Sequence, residues 1–132
     1  MLTADLRQVI GEMRETVQTA NAALLQRPDR WRNEIVVMRL QLAKLLGCLG
    51  KFVAAAPASP ELVNFRRALS HLRGTVAELQ ANWPAVSLDP DAPEFKRAAQ
   101  RVGLSLEAIQ KAVVELERFP DGFDRSGSSE TR

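Results

Sequence analysis

Between Trp31 and Phe52 a series of large apolar residues falls in strictly alternating steps of four and three: Trp31, Ile35, Met38, Leu42, Leu45, Leu49 and Phe52. An α-helix turns once in about 3.6 residues, so a 3.5-residue repeat lays one continuous apolar stripe along its side. A chain built this way has to bury stripe against stripe. Leu62, Phe65, Leu69, Leu72, Val76, Leu79 and Trp83 repeat the pattern, and Phe95, Ala99, Val102, Leu106, Ile109, Val113 and Leu116 repeat it again. Upstream, Leu6, Val9, Ile10, Met13, Val17, Ala20 and Leu24 share one side of a helix. No stretch alternates polar and apolar residues for long enough to be a strand.

Breakers separate the four series. Arg27-Pro28-Asp29, Pro57-Ala58-Ser59-Pro60 and the run from Pro84 to Pro93 lie between them, and Pro120 follows the last. The spacing predicts helices over about 3–26, 30–56, 60–83 and 92–119. Ser59 is placed to cap the third, with Pro60 at its first position and Glu61 near its positive end. Asp91-Ala92-Pro93-Glu94 resembles a capping box, and Asp29 is placed to cap the second helix. Short connections make successive helices antiparallel neighbours. The expected fold is all-α, a single-domain antiparallel up-down-up-down four-helix bundle over 1–119. A polar, flexible tail is expected over 120–132, with Phe119 and Phe123 able to fold back as a clasp.

The chemistry open to such a bundle is narrow. A di-metal carboxylate site needs paired Glu-x-x-His motifs, but the chain has one histidine, His71, and residue 68 is alanine. Zinc needs about four Cys or His ligands, and the chain contains two such residues in all. The acid pairs Glu12/Glu15 and Glu115/Glu117 fall on or beside polar faces. No metal, cofactor or catalytic machinery is expected, and a non-enzymatic role follows. Cys48, flanked by Gly47 and Leu49, has no intramolecular disulfide partner and is expected to be a small buried hydrophobe. The apolar run from Ile35 to Ala56 is interrupted by Arg39, Lys44 and Lys51, which argues against a membrane span. The N-terminus has no cationic run ahead of an apolar segment, so a cytoplasmic location is expected. Five glycines (Gly11, Gly47, Gly50, Gly74 and Gly103) lie within helical series, each costing about 1 kcal/mol relative to alanine. Close helix approach, above all around Gly47 and Gly50, is the expected compensation.

Two surfaces remain as candidates for function. The second helix is apolar beyond its seam: Val36, Val37 and Leu40 fall at nominally outward positions. With the flanking cations Arg32 and Arg39 they form the expected partner-binding surface, for a protein partner or a second copy of the chain. From Arg27 to Arg73 nine cations oppose three acids, a net +6, which leaves −4 for the rest of a chain whose total is +2. This basic half of the bundle suits an acidic protein surface, with a nucleic-acid backbone as a further reading. The aromatic residues among these cations, Trp31, Phe52 and Phe65, belong to the apolar seams, so none is left for base stacking.

The other candidate is His71, which falls outside the seam defined by Leu69, Leu72 and Val76. The string His71-Leu72-Arg73-Gly74 resembles that of histidine phosphotransfer domains, four-helix bundles in which an exposed histidine is followed by Lys three and Gly four residues on. Here the string is one residue short, and the likeness covers about six residues of 132. At i+2, Arg73 points about 200° away from the imidazole. The resemblance therefore implies His71 as phosphoacceptor with Arg67, one turn earlier, as the phosphate-side cation.

Overall fold

A computed structural model describes the backbone of residues 2–118 and side chains from residue 5 onward. The four apolar series form four helices: α1 (Leu2–Gln26), α2 (Trp31–Ala55), α3 (Pro60–Asn82) and α4 (Pro93–Arg118). A single 3-10 turn, Ala85–Ser87, lies in the connection between α3 and α4. Among the described residues there is no strand, and no helix is long and apolar enough to cross a membrane. The expected tail over 120–132 and the aromatic pair Phe119 and Phe123 lie outside the described residues.

Helix ends show where local signals hold and where they fail. Ser59 accepts a hydrogen bond from the Leu62 N–H at 3.0 Å, with Pro60 opening α3 as expected. Asp29 does not cap α2; Arg30 takes that position, with no side-chain cap bond. Asp91 does not cap α4 either. The Ala92 carbonyl accepts from the Lys96 N–H at 3.0 Å, which makes Ala92 the boundary residue and leaves Asp91 one position outside. The Asp91 carboxylate turns instead to Arg27, whose Nη2 donates to it at 2.5 Å. Arg27 ends α1 in the left-handed region (φ 48°), donating its N–H to the Ala23 carbonyl at 2.8 Å. Pro28 then prevents continuation. The Arg27 Nε also caps the Leu24 carbonyl at 3.0 Å, so one side chain closes α1 and ties its end to the start of α4.

One continuous core draws on all four helices, including Leu6, Met13, Leu45, Leu49, Phe65, Leu72, Ile109 and Leu116. The seams around it differ in width. The backbones of α1 and α2, and of α3 and α4, run close together, whereas α2–α3 and α1–α4 are wider. Small buried residues explain the close α3–α4 seam. Ala98, Ser105 and Ala112 recur every seven residues along α4, and Thr75 faces them from α3. Thr75 Oγ1 donates to the Leu72 carbonyl at 3.0 Å and lies 3.2 Å from Ser105 Oγ, which donates to it. The same antiparallel register sets Glu78 3.8 Å from Arg101, and the Trp83 ring edge-on to Phe95 at 5.7 Å.

Glycine therefore does not create the close approaches, contrary to the expectation from sequence. A Cβ added at Gly11, Gly47, Gly74 or Gly103 would meet nothing within 4 Å. Gly50 is the exception, because the Arg73 guanidinium from α3 lies against it and donates to the Leu46 carbonyl at 3.1 Å. Long side chains bridge the wider α2–α3 seam: Arg73 in the middle, and an edge-to-face pair of Phe52 and Phe65 (5.7 Å) toward the α2–α3 connection. Cys48 is also corrected. It is exposed, because one residue before the seam residue Leu49 it is rotated about 100° off the stripe.

Candidate functional surfaces

On α2, Val36, Val37 and Leu40 are 43%, 55% and 68% exposed. They occupy consecutive outward turns, and further along the same face the exposed Lys44 and Lys51 stand among the exposed small residues Ala43, Gly47 and Cys48. At its N-terminal end the face meets the 3-10 turn, where Val86 is also exposed.

The two arginines expected beside this face do other things. Arg32 donates through Nη1 to the Ala85 carbonyl at 2.6 Å, and its guanidinium lies over the Trp31 ring, 4.4 Å from the centroid. It ties the α3–α4 crossover to the start of α2. Arg39 is half-buried and lines an internal cleft of about 70 Å³. That cleft lies at the end of the bundle containing the α1–α2 corner and the crossover. Its walls come from all four helices and include Leu24, Ile35, Leu42, Val76 and Phe95, with Leu88 contributed by the crossover. Burial holds the Arg39 guanidinium below its ordinary pKa.

Neither the cleft nor the burial of Leu88 was apparent from sequence. Leu88 stands alone between prolines, outside any repeat, yet is only 2% exposed. The connection has two large apolar residues, Val86 and Leu88, and nothing in their spacing marks Leu88 as the one that turns inward.

His71, Arg67 and Gly74 are all exposed on α3. Among the described residues no side chain is hydrogen-bonded or ion-paired to His71 or Arg67. Arg73 reaches across to α2, away from His71, as its position in the helix requires. Of the nine cations from Arg27 to Arg73, Arg27, Arg32 and Arg73 bind other parts of the bundle and Arg39 lines the cleft. Arg30, Lys44, Lys51, Arg66 and Arg67 are exposed and make no such contact among the described residues. At the opposite end of the bundle Arg7 pairs with Glu117 (Nε to Oε2, 2.8 Å), so that carboxylate is engaged in joining α1 to α4. Among the described residues no three His, Cys, Asp or Glu side chains are grouped to hold a metal ion. Comparison of the chain with protein-family models, with curated proteins and with solved structures finds no match.

Proposed function

We propose that this bundle is a non-catalytic binding protein that docks an amphipathic helix of a protein partner on the outward face of α2. The observation that carries this reading is the run of exposed Val36, Val37 and Leu40 on a helix whose opposite side already fills the core. Completing the burial of three such side chains contributes about 3 kcal/mol, less than the cost of docking, so further contacts with the partner have to add to it. Charge supplies the rest of the selectivity. Lys44 and Lys51 follow the apolar turns along the same face, so an acidic segment of the partner complements them, whereas a second copy in parallel register sets like charges together. The small exposed residues Ala43 and Gly47 leave room for the partner helix to approach closely.

A photo-crosslinking amino acid at position 40, compared with one at the exposed Glu107 on α4, tests this in the native cell. Adducts from position 40 that disappear when Lys44 and Lys51 are both changed to Glu support the reading. Equal adduct formation from both positions, or none from position 40, overturns it. Sedimentation across a concentration range separates a second copy from a different partner. Val37→Asp or Leu40→Glu leaves the bundle folded if the face is an interface, and melts it if those residues are core.

The exposure of His71 favours a second reading, a phosphotransfer module using His71 and Arg67. A phosphorylated response regulator then labels the wild type and not His71→Gln. Absence of label from a panel of regulators removes this reading.

A further inference from the structure

The cleft behind α2 has a composition that the outward face does not explain. Its walls are apolar side chains from four helices, with Thr16, Asn21 and Gln80 adding neutral polar groups. Thr16 is already satisfied, its hydroxyl donating to the Glu12 carbonyl at 2.8 Å. One ionised side chain lines the cleft, Arg39, and no Asp or Glu does. Among the described residues the Arg39 guanidinium has no hydrogen-bond or ion-pair partner, unlike Arg7, Arg27, Arg32 and Arg73. A guanidinium cannot escape the cost of burial by losing its proton near neutral pH. It stays charged, half-desolvated and unpaired beside an apolar cavity.

The ligand that complements this arrangement has one anionic head and an apolar body. Carboxylate matches guanidinium geometry with two parallel hydrogen bonds. The cavity of about 70 Å³ sets the size of the body. One water needs roughly 10–15 Å³ of such space, so the cleft holds several water-sized groups and takes a short alkyl chain. The lining residues of α2 run from Ile35 to Leu42, a span of about 10 Å at 1.5 Å per residue, which accommodates such a chain.

We propose that this cleft is a binding site for a small amphipathic monocarboxylate, its head paired with Arg39 and its apolar body between Ile35, Leu42, Val76 and Phe95. The site is separate from the outward face of α2, so either proposal survives failure of the other.

Hexanoate is the probe, with 1-hexanol and acetate as controls, followed through methyl resonances in NMR titrations of the full chain. Hexanoate saturates shifts at Ile35, Leu42, Val76 and Val102, and acetate, lacking the body, does not. Loss of a charge-assisted hydrogen-bonded pair makes 1-hexanol weaker by about 10- to 100-fold. Arg39→Gln lowers hexanoate to the level of 1-hexanol and, having removed an unpaired buried charge, leaves the fold intact in the same spectra. Ala99→Met fills the cleft from α4 while keeping Arg39, and abolishes hexanoate binding. The proposal is overturned by equal affinity for hexanoate and 1-hexanol, by hexanoate binding unchanged in Arg39→Gln or Ala99→Met, or by no saturable shift at millimolar hexanoate.

Discussion

Replacing Gly11, Gly47, Gly74 and Gly103 with alanine is expected to stabilise this protein. Each lies inside a different helix, none has a positive φ, and an added Cβ meets nothing within 4 Å at any of them. The substitution therefore adds no steric cost in the folded state and removes conformational freedom from the unfolded one. Each change is worth about 0.5–1 kcal/mol. With no shared neighbours the four add, to about 2–4 kcal/mol and on the order of 10 °C in Tm. Gly50→Ala is the internal control. Its Cβ displaces the Arg73 guanidinium from its place against α2, so the helix-propensity gain is offset by loss of the bond to the Leu46 carbonyl. Urea denaturation followed by fluorescence of Trp31 and Trp83 measures the change, as a shift in midpoint at constant slope. An unchanged or less stable quadruple variant would refute the reasoning, since it would mean that the space beside these glycines is filled in solution. Gly47→Ala makes that outcome specific, because a gain present in dilute protein and lost in concentrated protein identifies the filler as a second copy.

Four further outcomes follow from particular contacts. Thr75→Val and Ser105→Ala each cost about 1–2 kcal/mol, and the double variant costs less than their sum; strict additivity would mean that the two hydroxyls share no bond. Leu88→Ala costs about 2–4 kcal/mol in urea unfolding although it lies between helices, and a loss below about 1 kcal/mol would remove the crossover from the core. Cys48 reacts with a thiol reagent in the folded protein nearly as fast as in the unfolded chain, and protection of the thiol means that the face is covered. Hydrogen bonding from Arg27 holds the Asp91 carboxyl below its ordinary pKa. Its contribution is therefore full above the unfolded-state value, about pH 4, and is lost as pH falls through the folded value. Wild type and Asp91→Asn accordingly differ in stability near neutral pH and converge in acid; a difference independent of pH would sink this account.

The four helices were legible because apolar spacing and breakers report on each helix separately. Ser59-Pro60-Glu61 sets the start of α3 from groups within three residues of one another. What was not legible depends on how far apart two helices sit. Periodicity treats Ala98, Ser105 and Ala112 as minor positions, yet their small volume brings α3 and α4 together, the role expected of glycine. Capping by Asp91 was a sound local reading, overridden by an arginine 64 residues away. Arg39 illustrates the same limit. It flanks the α2 seam, and a flanking arginine turns inward or outward according to the width of the neighbouring seam, which no spacing within α2 encodes. Arg32 is exposed as expected, but its bond to the Ala85 carbonyl is not legible in the sequence, because that acceptor is in a turn that lacks any repeat.

The uneven fastening of the α2–α3 seam has a mechanical consequence. Toward the α2–α3 connection it is fastened by the Phe52–Phe65 pair and, midway, by Arg73 on the Leu46 carbonyl; at the other end it opens on the cleft. A wedge entering the open end would work against fixed points further along, which favours a lever-like response of α2 over a bodily shift. Arg39 and Leu40 are consecutive residues, one facing the cleft and the other the solvent. Movement of that single turn is felt inside and outside at once. Any influence of an interior ligand on the outer face must, by thermodynamic linkage, be returned by an outer partner to the interior with equal strength.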